Sequence, residues 1–482
     1  MRKPKRFLQE SAAMPDTAAP YLRNDPGIRL AVEEAKALLG DRLSTAQAVR
    51  DQHARGEDYF SPAAPDAVAY VQSTEEVAAL VKICARHKVP VIAWGTGTSL
   101  EGHVTAPTGG ITVDLSGMDQ VLEVNASDMD CRVQAGVTRK ALAAHIRDTG
   151  LMFPVDPGAD ASLGGMAATC ASGTNAVRYG TIKENVLGLT VVTAEGTVIK
   201  TGGRARKTSA GYDLTHLYVG SEGTLGIITE VQLRLYGIPE AMAAAVCQFE
   251  DLQSAVDTTV NVLQYGIPVA RMELLDEAQM AACIAFSKLD ELQPKPTLFF
   301  EFHGSEASVK EQAETVQGIA EELGGSQFTW AMREEDRNRL WEARHNAYYA
   351  CLAMTPGKRG WATDVVVPIS RLTECILETK QDIGANGIYA PICGHVGDGN
   401  FHCCIMLDPE VEAEKQAAYD FSKRLVDRAL AMGGTCTGEH GIGIGKIGSL
   451  QKETGEAYEY MRRIKRALDP DNILNPGKVV VF

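Results

Sequence analysis

The chain contains no Cys-x-x-Cys pair, no apolar run long enough to span a bilayer and no excess of basic residues. Each absence removes a class of function. The eleven cysteines are odd in number and adjacent only at Cys403-Cys404, so they read as reduced thiols in a cytosolic-type compartment, not as a zinc or dithiol motif. A membrane span needs about 20 consecutive apolar residues. The basic opening Met1-Arg-Lys-Pro-Lys-Arg6 has no apolar segment behind it, and acids follow at Glu10 and Asp16, so neither a secretory signal nor a transit peptide is expected. The expectation is a cytoplasmic protein, with peripheral attachment at the inner membrane left open. A net charge of −15 disfavours nucleic acid as a partner. An anionic substrate therefore needs a local positive site. Aromatic residues make up only 6% of the chain, yet 45% of its 482 residues are apolar, enough for two or three packed domains.

What is abundant is glycine, concentrated in three small-residue stretches. Residues 1–55 come first as a helical lead-in, with Val32, Ala35, Leu38 and Leu39 at helical spacing. A capping box, Ser73-Thr-Glu-Glu76, then opens a helix whose apolar face is Val77, Leu80, Val81 and Cys84, and a buried strand follows over 89–94. The strand runs into Gly95-Thr-Gly-Thr-Ser-Leu-Glu-Gly102, whose amides and hydroxyls suit a phosphate. It is not a dinucleotide fingerprint, because Leu100 occupies the third glycine position and Pro107 and Gly109-Gly110 leave no room for a crossover helix. Taken alone it also reads as a glycine-rich turn. The second stretch, Pro154 to Gly180, is too poor in bulky side chains to build a core of its own, so it packs tightly on another element or lies against a flat ligand. The third, Val219-Gly-Ser-Glu-Gly-Thr-Leu-Gly-Ile-Ile228, follows the hairpin turn Ala194-Glu-Gly196. Three such loops within one domain, 56–239, fit an extended cofactor.

Pro239-Glu240 marks a boundary. Over 240–432 the pattern strand, helix, strand, strand, helix occurs twice, which predicts an antiparallel sheet of ferredoxin-like style with helices on one face. Within it lies Gly394-His-Val-Gly-Asp-Gly-Asn-Phe-His402. A two-residue turn at Asp398-Gly399 sets His395 opposite His402, with Cβ atoms about 5 Å apart. The segment 433–482 returns to the first domain and carries Gly438-Glu-His-Gly441, where glycine lets backbone approach a ligand closely. Glu439 as a third ligand gives a His₂Glu site with open positions, suited to zinc, manganese or iron. His440 cannot share that metal in a good orientation and is cast as a general base. Arg339 to Tyr349 reads as one helix that offers Arg344 to a carboxylate, with Tyr348 one turn later on the same face. An isolated helix arginine also reads as surface.

These motifs, with Pro154-Val-Asp-Pro157, Thr174-Asn-Ala-Val-Arg-Tyr-Gly180, Arg344-His-Asn-Ala347, Gly434-Thr-Cys-Thr-Gly-Glu-His-Gly441 and Leu474-Asn-Pro-Gly-Lys478, resemble the FAD-linked D-2-hydroxyacid dehydrogenases of the vanillyl-alcohol oxidase superfamily, in particular the cytochrome-linked D-lactate dehydrogenases. The resemblance covers nearly the whole chain. It implies an α+β fold, a two-lobed PCMH-type FAD-binding domain with a ferredoxin-like substrate (cap) domain. It implies pyrophosphate binding by Gly95, Thr96, Gly97, Thr98, Ser99 and Leu100. The flavin is expected beside Pro157, Gly158, Asp160, Ser162, Gly165, Gly173, Asn175, Tyr179 and Gly180. Glu222, Gly223, Gly226, Ile227, Ile228 and Asn475 complete the expected cofactor set. A divalent metal, zinc or manganese, is expected on His395, His402 and Glu439, with His440 as base and Arg344 on the substrate carboxylate. The implied reaction is oxidation of a small D-2-hydroxy acid, D-lactate first, by hydride transfer to flavin N5. Electrons are expected to pass to cytochrome c, a quinone or an electron-transfer flavoprotein, and a homodimer is left open.

Two departures bear on this. His103 stands where relatives carry a small residue, which raises a covalent flavin link against the plainer reading of a loop histidine and non-covalent FAD. Ala362 stands where relatives that oxidise D-2-hydroxyglutarate carry a lysine, which favours a monocarboxylate while glycolate and D-2-hydroxybutyrate stay open. The rivals are a glycolate dehydrogenase catalytic subunit and, more remotely, a flavin-free metallohydrolase.

Overall fold

The computed structural model describes residues 23–289 and 291–482, so the basic opening and its early acids lie outside it. Helix α1 (Asp25–Leu39) starts at Asn24, whose side chain accepts from the Gly27 amide, and buries Ile28, Ala31, Ala35 and Leu39. The buried stripe is rotated from the expected one, with Leu38 exposed and Val32 only partly covered. Two alanines let α1 lie close on α2 (Thr74–His87). At the start of α2, Ser73 accepts from the Glu76 amide, but the Glu76 carboxylate turns to the Gln72 amide and to Arg42 instead of closing the box on Ser73. Both helices cover a four-stranded sheet of β1 (Leu43–Ser44), β2 (Ala67–Tyr70), β3 (Val91–Trp94) and β4 (Ile111–Asp114), ordered β1-β2-β4-β3 with β2 and β3 parallel to β4. The 95–102 loop leaves the end of β3.

A second lobe is antiparallel: β5 (Val121–Asn125), β6 (Asp130–Gln134), β7 (Val186–Val192), β8 (Val198–Lys200) and β9 (Ile227–Arg234), ordered β5-β6-β9-β7-β8. Helix α3 (Leu163–Thr169) lies on β9, and a Cβ on Gly164 would come within 2.4 Å of Ala135. The poverty of this stretch in bulky side chains thus serves close packing along one face.

The third unit is one eight-stranded sheet. Its first half holds β10 (Ala241–Gln248), α4 (Leu252–Gln264), β11 (Val269–Leu275), α5 (Glu277–Ser287), β12 (Thr297–Gly304), α6 (Glu306–Glu322) and β13 (Ser326–Ala331). After α7 (Glu334–His345) and α8 (Ala347–Met354), the second half holds β14 (Arg359–Ala362), β15 (Val365–Val366), α9 (Leu372–Asn386), β16 (Ile392–Gly394), β17 (Asn400–Leu407) and α10 (Glu412–Ala431). The order β13-β10-β12-β11-β16-β17-β14, with β15 also on β17, is the ferredoxin-like order 4-1-3-2 followed by its mirror. The fourth strand of the second half shrinks to a bridge between Val366 and Thr435. Strand β16 is much shorter than its apolar run suggests, because Pro391 has no amide to donate and Ile388 still caps α9. Conversely β10 begins at Ala241, in an alanine-rich segment of low β-propensity, because it pairs along the whole of β12.

The halves meet where β11 pairs with β16, Leu274 opposite Gly394. The C-terminal segment runs back through α11 (Ala457–Leu468) to a parallel bridge between Leu474 and Val91. Buried Lys465 donates there to the carbonyls of Thr224 and Leu474. No helix of the described residues is long and apolar enough to cross a membrane. All eleven cysteines are free thiols.

Candidate active site

The hairpin of β16 and β17 does not have the two-residue turn that Asp398-Gly399 predicts. The ladder pairs Cys393 with His402, and the Asn400 amide donates to the His395 carbonyl at 3.3 Å. The connection is therefore four residues, Val396 to Gly399, containing a single 3-10 turn. The start of β17 is pinned from its other side, where β15 pairs with Asn400 and Phe401 and the Asn400 side chain donates to the Val365 carbonyl. His395 thus sits just beyond the strand end instead of opposite His402, yet the two rings still meet edge-on with centroids 5.5 Å apart.

Glu439 reaches both. Its Oε1 lies 3.1 Å from His395 Nε2 and 3.3 Å from His402 Nε2. Each Nδ1 is engaged elsewhere, His395 with Glu273 Oε1 at 2.7 Å and His402 with the Thr363 carbonyl at 3.0 Å. One donor atom from each of the three residues lies within 4.8 Å of the others, so the group could hold a metal ion. The donor set fits such an ion: two imidazoles fixed through Nδ1 and a carboxylate between their free nitrogens. Burial opposes charge on both His395 and Glu439, but mutual attraction, together with Glu273 on the histidine side, holds His395 well above its ordinary pKa and Glu439 well below.

Glu273 was not expected at the site. It lies on β11, is fully buried, and takes Arg344 Nε on Oε2 at 2.7 Å while Oε1 holds His395. Only its place in an apolar strand, where a carboxylate must have partners, signals it in the sequence. Burial opposes its charge, but His395 and Arg344 keep its pKa below the usual range. Arg344 is therefore no surface arginine: its side chain is 13% exposed. Tyr348 does not follow it on the same helix face, because the helix breaks at Asn346, the N-cap of α8, and the Tyr348 hydroxyl turns toward the Gly360 carbonyl.

His440 lies flat on His402, with centroids 5.1 Å apart and planes 7° from parallel. Its Nδ1 is buried without a hydrogen-bond partner. Burial, reinforced by His402 and Lys446, pushes its pKa down to about 4, against the pull of Asp364. At neutral pH the ring is uncharged and can accept a proton. The glycines after it serve a different purpose from the expected close approach to a ligand. A Cβ on Gly441 would stand 2.7 Å from Glu222 Oε1 and from His103 Nε2, and one on Gly443 would lie 1.9 Å from the Glu101 carbonyl. They make room for protein groups.

Glu222, at φ +54°, accepts from the amides of Ile442 and Gly443 at 2.7 and 2.8 Å and pairs with His103 Nε2 at 3.0 Å. Asn475 donates to the carbonyls of His103 and Glu222. Asn175 is bonded to Asp156, Pro154 and Arg271, Tyr179 to His303, and Asp160 to the Lys140 amide. Ile227 and Ile228 point into the two lobe cores, and Gly226 packs on Val191. The side chains of these expected cofactor residues are thus engaged with protein. The first two loops differ. Among the described residues, the amides of Thr96, Gly97, Thr98, Ser99 and Leu100 donate to no protein acceptor, and the buried hydroxyls of Ser99 and Ser162 have no partner. Gly95 faces Ser162, whose Oγ would be 2.3 Å from a Cβ there. Gly97, Gly173, Gly180 and Gly223 have positive φ, and Pro157, Gly158 and Gly165 line the same small-residue stretch. Free amides and orphaned hydroxyls beside backbone that tolerates close approach fit a phosphate-bearing cofactor.

Comparison with known proteins agrees. Residues 65–202 match the model of an FAD binding domain, and residues 238–479 match that of the FAD linked oxidases, C-terminal domain. The chain is 55% identical to "Probable D-lactate dehydrogenase, mitochondrial" of Danio rerio, over 93% of this chain and 91% of that one. It is 45% identical to the mitochondrial D-lactate dehydrogenase (cytochrome) of Arabidopsis thaliana, over 93% and 80%. The crystal structure of p-cresol methylhydroxylase shares its fold, with a TM-score of 0.79 at 19% identity, covering 96% of this chain and 99% of that one. The chain belongs to the FAD-linked D-2-hydroxyacid dehydrogenases, a flavoenzyme family that includes the cytochrome-type D-lactate dehydrogenases.

Proposed function

We propose that this enzyme oxidises D-lactate to pyruvate at a centre built from His395, His402, Glu439, His440 and Arg344, with a divalent metal, zinc or manganese, and non-covalent FAD. The observation that carries the reading is Glu273, whose two oxygens hold Arg344 and His395 side by side. A 2-hydroxy acid has its carboxylate one bond from its hydroxyl carbon, and it needs a cation for the first beside a polarising centre for the second. When bound, FAD supplies a hydride acceptor and the metal a Lewis acid for the 2-hydroxyl. Arg344, with Nε taken by Glu273, turns its remaining guanidinium N–H groups to the substrate carboxylate and fixes C2 in position. His440 takes the hydroxyl proton on its uncharged ring as hydride leaves C2. Ala362 offers no charge for a second carboxylate, which favours a monocarboxylic substrate. The FAD is taken as held without a histidyl link: His103 Nε2 stands 3.0 Å from Glu222 Oε2 as an ion pair, and its Nδ1 has no hydrogen-bond partner among the described residues.

The released electrons leave through a separate acceptor: cytochrome c, with a quinone or an electron-transfer flavoprotein as the alternatives. The compartment is reducing, in keeping with the free thiols. The test is a substrate and acceptor panel on metal-stripped and metal-restored protein. D-lactate should bleach the flavin at 450 nm in the restored enzyme only, L-lactate should not, and cytochrome c should reoxidise it. Colourless protein, or equal flavin reduction with and without metal, sinks the reading.

A further inference from the structure

One carboxylate outside the expected site touches both of its halves. Asp364 lies between β14 and β15 with its side chain fully buried. Its Oδ2 accepts from Thr437 Oγ1 at 2.7 Å and from three consecutive amides, those of Gly438 at 2.7 Å, Glu439 at 3.0 Å and His440 at 3.0 Å. Three successive amides aimed at one point form a nest for an anion, and here the anion is part of the chain. The other oxygen, Oδ1, accepts from Asn400 Nδ2 at 2.8 Å. Asn400 is the residue whose amide closes the hairpin on His395. The carbonyl of Asp364 also accepts from Lys446 Nζ at 3.2 Å.

We propose that Asp364 is a positioning residue that sets the separation between the hairpin bearing His395 and His402 and the turn bearing Glu439 and His440. This rests on the metal reading above. The hairpin is held by its strand ladder, but the turn has no ladder of its own. Without Asp364 three partly buried amides lose their shared acceptor, and the turn is free to shift to satisfy them elsewhere. Glu439 and His440 carry two of those amides, so any such movement displaces a metal ligand and the proton acceptor together.

Only a carboxylate can fill the position, because both faces of the group meet donors. In Asp364→Asn one orientation sets the new NH₂ against the nest, and the other sets it against the NH₂ of Asn400. Either way one half of the site is released while the volume is unchanged. Arg344 depends on Glu273 on another strand and is left in place.

The experiment titrates metal-stripped, flavin-loaded protein with Mn²⁺, following loss of the free-ion EPR signal, and then measures D-lactate oxidation at saturating Mn²⁺. Asp364→Asn should keep its full flavin content and absorption spectrum. Its Mn²⁺ Kd should rise about 10- to 100-fold, the usual cost of removing a group that orients ligands. The turnover lost at saturating Mn²⁺ should fall on kcat, with KM changed by less than about threefold. Thr437→Val, which removes one of the four donors at a partly exposed position, should raise the Kd by about 2- to 5-fold with no loss of flavin. Wild-type Mn²⁺ affinity in Asp364→Asn overturns the inference, as does loss of flavin in step with loss of metal. If Asp364→Asn does not fold, an unchanged Kd in Thr437→Val overturns it alone. Failure of the wild-type protein to take up Mn²⁺ is a separate result that removes the metal reading itself.

Discussion

The two halves of the candidate centre are built in opposite ways. His395 and His402 stand at the ends of paired strands, and their Nδ1 atoms are fixed by Glu273 and by the Thr363 carbonyl. Glu439 and His440 stand on a glycine turn with no ladder, positioned by carboxylates that arrive from elsewhere. Asp364 gathers the amides of 438–440, and Glu222 gathers those of Ile442 and Gly443. A turn that runs into the interior must still satisfy its amides, and two resident anions do for the turn what a strand partner does for the hairpin. The two strands of the hairpin are neighbours in sequence, although Glu273, 122 positions from His395, fixes one of its rings, whereas the turn half is assembled from residues up to 221 positions away.

The largest effect should come from destroying the hairpin half itself. His402→Ala removes a donor and should abolish metal uptake, lowering kcat/KM by at least about 10³-fold. Flavin content should stay near one per chain, because the part that matches an FAD binding domain, residues 65–202, does not include His402. Metal analysis and the flavin spectrum of the purified variant check both points. Equal metal content would show that the hairpin is not a ligand pair. The matching cut in the turn half is His440→Ala, which should retain both metal and flavin yet lose about 10²- to 10⁴-fold in kcat. Single-turnover flavin reduction measures it, and near-normal reduction would remove His440 from the role of proton acceptor.

The same contrast governs what the sequence makes legible. Both histidines and Glu439 are visible because each lies in a glycine-rich motif, and the doubled strand and helix pattern predicts the antiparallel sheet. The hairpin register is misread because Asp398-Gly399 is a strong turn signal by itself, whereas β15 and the Asn400 side chain pin β17 from outside the hairpin. Glu273 and Asp364 are hard to single out for a related reason. Each is a lone acid within or beside an apolar strand, and its importance comes from partners brought by the fold: Arg344 and His395 for one, residues 437–440 for the other. Helix α1 is misphased because Leu38 is more apolar than Ala31, but closeness to α2 selects the alanine. Glycine, read as room for a ligand, turns out at Gly441 and Gly443 to be room for Glu222, His103 and Glu101.

A smaller cut tests whether the hairpin half shares its support with the substrate site. Glu273→Gln keeps the shape but removes the charge that holds Arg344 and His395. It should weaken metal binding about 10-fold and raise the KM for D-lactate by a similar factor. Asp364→Asn, by contrast, should spare KM. Steady-state kinetics on the two variants at saturating metal should separate them, and a Glu273→Gln enzyme with unchanged KM would mean that Arg344 does not depend on this carboxylate.

The gentlest perturbation is a change of pH, and the halves should respond differently. In the metal-free protein Glu273 and Glu439 outweigh burial and hold His395 protonated well above its ordinary range. Glu439 is already ionised, its pKa well below the usual value, and His440, pushed down to about 4, is already neutral. A metal entering at neutral pH therefore displaces a proton from the hairpin half and none from Glu439 or His440. The sign follows: metal affinity should increase with pH, by about tenfold per unit for one proton released, and level off only above the raised pKa of His395. In Glu273→Gln one of the two anions that raise this pKa is gone, so the plateau should begin at lower pH. Mn²⁺ titrations between pH 6 and 8.5 measure both curves. A flat wild-type curve would mean that His395 is neutral before the metal arrives, and coincident curves would mean that Glu273 does not set its charge.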